Sequence, residues 1–104
     1  MAIISNNFYK TSLDRIKAVV LEFLIDEDVM IILFGSAARG DAHRFSDIDI
    51  GILPRNNYNK KKLILLKEQL DDMNIPYTVD LVDISKVSDV FKKQVLSEGV
   101  IWKN

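Results

Sequence analysis

Residues Phe34–Gly51, FGSAARGDAHRFSDIDIG, decide how the rest of this chain is read. An apolar run, Val29–Phe34 (VMIILF), leads into the stretch. It is short and rich in β-branched residues, which predicts a strand buried on both faces. Gly35 ends that strand, and Ser36 can cap a short helix through Ala37, Ala38 and Arg39 before Gly40-Asp41 stops it. A second strand follows from Ser46 to Leu53. Its alternation turns Asp47, Asp49 and Gly51 to one face and Ile48, Ile50 and Ile52 to the other. Two carboxylates two residues apart on one strand face lie roughly 6–7 Å apart at the backbone.

Working outward from this stretch, Leu13, Ile16, Val20, Phe23 and Leu24 recur at helical spacing. They predict a helix from Ser12, capped by Thr11 or Ser12, with Asp14 near its positive end. Met1–Lys10 show no sustained period, an expectation of partial disorder. The acidic break Asp26-Glu27-Asp28 ends the helix. Beyond the second strand, Pro54–Asn59 (PRNNYN) reads as a turn-rich loop. Lys60–Met73 reads as a helix with Leu63, Leu66, Leu70 and Met73 on its buried stripe.

Pro76 restarts the chain in extended form, and Tyr77–Val82 alternates again. Val79 and Leu81 share one face; Thr78, Asp80 and Val82 share the other. Ser85 or Ser88 opens a last helix anchored by Val87, Phe91 and Val95. Gly99 ends it and leaves Val100-Ile101-Trp102 as a terminal strand or docking segment. The fold class predicted is α/β (α+β): a single domain with a small mixed sheet, helices packed mainly on one face, and aspartates on the other.

The totals narrow the function. A chain of 104 residues holds one core. Lys and Arg number 14 against 15 Asp and Glu, giving a net charge of -1. That balance argues against nucleic-acid binding by bulk electrostatics. With no cysteine and one histidine, thiolate and zinc sites are disfavoured, so any metal would be a hard, oxygen-liganded ion. The longest apolar run falls far short of the ~20 residues that span a bilayer. The N-terminus lacks a signal-peptide pattern, so a cytoplasmic location is expected.

Asp80 has the parity to join Asp47 and Asp49 if the second and third strands pair. Asp83, three residues on, has the opposite parity. Three close carboxylates repel one another, and a divalent cation or two would relieve the conflict. All-oxygen ligands, completed by water and substrate phosphates, suit Mg2+ or Mn2+. Gly35 lets the backbone approach a ligand, and the Ser36 hydroxyl and following amides can meet a phosphate. Arg39 can reach a triphosphate or a leaving pyrophosphate. The pattern is neither a P-loop nor a GxGxxG turn. Blander roles suit the other candidates: Arg44 and His43 as solvated loop residues, Lys60-Lys61-Lys62 as a solvated helix start, and Trp102 as a packing residue.

At Gly35-Ser36, ten intervening residues, then Asp47-Ile48-Asp49, the sequence resembles the DNA polymerase β-like nucleotidyltransferases. Its brevity is similar to the minimal nucleotidyltransferase (MNT) branch, one half of HEPN/MNT pairs. Val79-Asp80-Leu81 resembles the strand bearing the family's third carboxylate. The chain departs from the branch's common GSRARG form at Ala37, while Arg39 and Gly40 are kept.

The resemblance implies the nucleotidyltransferase fold and Mg2+-dependent transfer of a nucleoside monophosphate, AMP from ATP, to a hydroxyl. Asp47, Asp49 and Asp80 would serve as catalytic, metal-holding residues with two ions and a bound NTP. It implies a helical HEPN-type toxin as partner, with one of its tyrosines as acceptor and this chain as antitoxin. Two alternatives stay open: a non-catalytic antitoxin that neutralises its partner by contact, and a small-molecule nucleotidyltransferase, for which a homo-oligomer could form the pocket.

Overall fold

The computed structural model describes residues 2–39, 47–56 and 58–104, with the side chains of residues 2–7 and of Arg39 outside that description. The elements run α1 (Ala2–Phe23), β1 (Val29–Phe34), α2 (Ser36–Arg39), β2 (Ile48–Pro54), α3 (Lys60–Asp71), β3 (Val79–Asp83), a 3₁₀ turn (Ile84–Lys86), α4 (Asp89–Glu98) and β4 (Val100–Lys103). The four strands form one mixed sheet in the order β3-β2-β1-β4. β1 is antiparallel to β2 and to β4, whereas β2 and β3 are parallel. A parallel pair cannot be closed by a tight turn, and α3 supplies the crossover.

Alternation along β1 and β2 divides the apolar residues between the sheet's two faces. Ile31, Leu33, Ile48, Ile50 and Ile52 join Val79 in a core with Ile16, Val20 and Leu24 of the α1 segment and Leu66 and Leu70 of α3. Ile32 and Phe34 point the other way and join Ile84 and Val95 in a second, smaller cluster. β1 is therefore buried on both faces, as its composition predicts. The helices α1 and α3 occupy one face, but α4 and the 3₁₀ turn sit on the face that carries the aspartates.

One expected helix start is corrected, and of the two offered for the last helix, Ser88 is the one used. The first helix begins at Ala2, not at Ser12, and Ser12 is a buried residue, 2% exposed, in its interior. The apolar stripe extends a turn further back through Tyr9, which packs on the core and meets Tyr77 edge-on at 5.1 Å between ring centroids. The last helix is capped by Ser88, whose hydroxyl accepts from the Phe91 N–H at 3.2 Å. Ser85 instead lies in the 3₁₀ turn, where its N–H donates to Asp83. Gly99 caps the end of α4 as expected, and β4 docks along β1. Trp102 is half-buried against the larger core, with the Lys17 ammonium 5.8 Å from its ring. Among the described residues, no helix is long and apolar enough to cross a membrane.

Candidate active site

The site is built at the end of β1, where three strands and a turn converge. Phe34, the last residue of β1, pairs with Asp49 of β2, and Asp49 in turn pairs with Asp80 of β3. Directly opposed residues on paired strands project to the same face, so the two carboxylates stand side by side. The chain then turns at Gly35, whose φ is +73°, a region that side-chain-bearing residues rarely adopt. A Cβ built on Gly35 would lie 2.5 Å from Asp49 Oδ2. Glycine is thus required twice here, once for the turn and once for the close approach of backbone to carboxylate.

A cavity of about 540 Å³ opens at this point. Gly35, Asp49 and Asp80 line it, together with Phe34, Leu81 and Val82 of the strands. Phe91, Gln94, Val95 and Glu98 of α4 form its other wall. Asp47 is exposed immediately before β2. Ser36 opens α2 and is half-buried. The Arg39 side chain, Gly40, His43 and Arg44 lie outside the described residues.

Electrostatics mark Asp49 as the strained member of the group. Burial pushes its pKa up, and the neighbouring charges of Asp80 and then Asp47 push it further in the same direction. The other two aspartates named from the sequence thus both act on Asp49. Among the described residues, no group of three or more His, Cys, Asp or Glu side chains is gathered closely enough to hold a metal by itself. The donor chemistry still fits a hard divalent ion: the carboxylates are all-oxygen donors, and the anionic crowding at Asp49 is of the kind a cation relieves.

Asp83 has a different role. It accepts from the Tyr58 hydroxyl at 3.0 Å and from the Ser85 N–H and hydroxyl at 2.9 and 2.6 Å, with the Lys86 ammonium 4.0 Å away. Asp83 ties the loop before α3 to the end of β3.

The α4 wall of the cavity is the part that sequence reasoning missed. Phe91 anchors α4 as the spacing predicts, edge-to-face with Phe34 at 5.8 Å between ring centroids, but it is 37% exposed and lines the cavity. The signal available was the spacing of Phe91, Gln94, Val95 and Glu98, which puts all four on one helical face.

A mixed four-stranded sheet, a glycine turn at the end of β1 and directly opposed aspartates on β2 and β3 define a nucleotidyltransferase-type domain. The chain belongs to the family described as Polymerase beta, Nucleotidyltransferase, whose pattern matches residues 20–103. Protein adenylyltransferase MntA of Shewanella oneidensis is 37% identical over 70 residues, covering 67% of this chain and 50% of that protein. The chain thus spans half the length of that relative.

Two solved structures are also similar. One is described as a minimal nucleotidyltransferase: TM-score 0.70, 27% identity, 88% of this chain and 92% of that one covered. The other is a tri-AMPylated Shewanella oneidensis HEPN toxin in complex with MNT antitoxin: TM-score 0.59, 26% identity, 86% and 70% covered.

Proposed function

We propose that this chain is an adenylyltransferase that moves AMP from ATP to a hydroxyl on a HEPN-type toxin, a tyrosine by preference, and thereby acts as its antitoxin. The observation that carries the reading is the convergence of the Gly35 turn with Asp49 and Asp80 on a single cavity. The likeness to an MNT antitoxin whose toxin partner is AMPylated supports the choice of acceptor.

In this reading Asp47, Asp49 and Asp80 hold Mg2+. The bound ion supplies charge neutralisation at the phosphates and a lowered pKa at the incoming hydroxyl. The remaining steps fall to the chain. Gly35 lets phosphate oxygens approach the backbone, with the Ser36 hydroxyl and Arg39 as further donors. The acceptor oxygen forms a bond to the α-phosphorus while the bond to pyrophosphate breaks. The hydroxyl proton leaves toward Asp80, the carboxylate on the outermost of the three strands. Steep dependence on geometry is expected, because positioning supplies most of the rate in phosphoryl-type transfer.

The test combines the chain, a HEPN-type partner and Mg-ATP, with the partner's intact mass as readout. An AMP adduct is expected, and Asp47→Asn should abolish it. An unmodified partner, with nucleotide binding confirmed, would overturn the reading. A partner silenced without any adduct would leave stoichiometric contact as the mode of inhibition.

A further inference from the structure

The cavity is larger than phosphates and metals need, and the side formed by α4 carries an aromatic ring and an amide that the phosphate site does not use. The turn and strands bring Gly35, Asp49 and Asp80 to it, while α4 contributes Phe91, Gln94, Val95 and Glu98. Phe91 stands perpendicular to Phe34, with ring centroids 5.8 Å apart and an interplanar angle of 88°. Two perpendicular rings cannot cover each other's faces, so at least one face of Phe91 is left uncovered by Phe34. Phe91 is also 37% exposed and lines the cavity, so part of it is open to a ligand there. Gln94, one turn along α4, lines the same cavity.

We infer that Phe91 and Gln94 form a nucleobase subsite, with the base stacked on Phe91 and its hydrogen-bonding edge read by the Gln94 amide. The inference rests on the nucleotidyltransferase reading of Gly35, Asp49 and Asp80 and adds to it the recognition of the base by this chain itself. Both sets of residues line one cavity, so a nucleotide whose phosphates meet Gly35 can set its base against α4. A volume of about 540 Å³ lies within the range of ligand pockets that enclose a nucleotide-sized molecule. Side-chain amides pair with the amino group and ring nitrogen of adenine, so Gln94 favours adenine over guanine.

Direct binding to the full chain tests this, by calorimetry with Mg-ATP, Mg-GTP and Mg-inorganic triphosphate as separate titrants. ATP should bind more tightly than triphosphate. Phe91→Ala should weaken ATP about tenfold or more and leave triphosphate within about twofold, since stacking is lost and phosphate contacts are not. Phe91→Leu, which preserves bulk, should fall between, and circular dichroism establishes that both variants are folded. Gln94→Ala should narrow the preference for ATP over GTP.

Equal affinity of the wild type for ATP and triphosphate would overturn the subsite while leaving the phosphate site standing. So would folded Phe91 variants that keep wild-type ATP affinity, including the case in which they lose affinity only for the HEPN-type partner, which would place an acceptor ring there. A wild type that binds neither ATP nor triphosphate would overturn the parent reading as well, and the two failures are thereby distinguished.

Discussion

On one face of the sheet, Ile31, Leu33, Ile48, Ile50, Ile52 and Val79 lie beneath α1 and α3, none more than 4% exposed. On the other, the same strands present Asp49, Gly51 and Asp80, a four-residue apolar cluster and an open cavity. Among the described residues, the buried set on the closed face is apolar apart from Ser12 of α1, and its burial stabilises the fold mainly through apolar area. The open face holds crowded carboxylates, whose burial and mutual repulsion at Asp49 cost stability and which the proposed reaction would use. Side-chain alternation lets one set of strands carry both without compromise, because neighbouring residues never share a face.

The strongest way to break this division is Ile50→Ala. Ile50 is wholly buried on the central strand β2, and truncating it should cost about 2–5 kcal/mol. That is a large share of the roughly 5–15 kcal/mol that holds a small domain together. Urea unfolding should show a midpoint far below that of Val82→Ala, a half-buried position on the open face. Equal losses at the two positions would mean that stability is not concentrated on the closed face.

Asp49→Asn sharpens the comparison from the other side. It should abolish AMP transfer without destabilising the chain. Asp49 has its pKa raised by burial first and by Asp80 and Asp47 next. A carboxyl raised in the folded state contributes stability that is full below its unfolded pKa and is lost as pH rises through the folded one. Above that range the ionised wild type carries a penalty that asparagine does not. Metal-free thermal unfolding between about pH 4 and 7 should therefore show the variant gaining on the wild type as pH rises. A variant less stable than wild type at neutral pH would make Asp49 a structural acceptor instead.

The side-by-side placement of Asp49 and Asp80 was legible because parity is local: each strand's alternation can be read without knowing its partner. The buried isoleucines of β2 followed from the same period. Features set by distant contacts were not legible. Ser12 reads as a cap because a small polar residue precedes a periodic run, and only packing of Tyr9 against Tyr77, far along the chain, shows the helix continuing past it. Phe91 reads as an anchor because spacing reveals an apolar helix face but not how much sheet it covers. The position of β4 beside β1, opposite β2, is likewise a matter of strand order, which no local pattern encodes. Arg39 was named for its chemistry, and its side chain falls outside the described residues.

The smallest effect compares two aspartates on one strand. Asp80 stands beside Asp49 at the cavity, whereas Asp83 is satisfied by neighbours. Burial alone would raise the Asp83 pKa, but the hydrogen bonds from Ser85 and Tyr58, with the Lys86 charge, bring it below the usual value. A depressed carboxyl contributes stability above its unfolded pKa and loses it as pH falls through the folded one. Tyr58, in turn, is pushed up to about 12, by burial and then by its bond to Asp83. The Tyr58 contribution is therefore full at neutral pH and lost only as pH rises through that value.

Tyr58→Phe should cost about 1 kcal/mol at pH 7, the usual net worth of one hydrogen bond. The deficit should shrink in acid as Asp83 protonates. Mg-ATP affinity should stay unchanged, because Tyr58 serves the scaffold end of β3 and not the cavity. A loss of nucleotide affinity in Tyr58→Phe would show that Asp83 and Asp80 act as one electrostatic unit, and the separation of scaffold from site along β3 would fail.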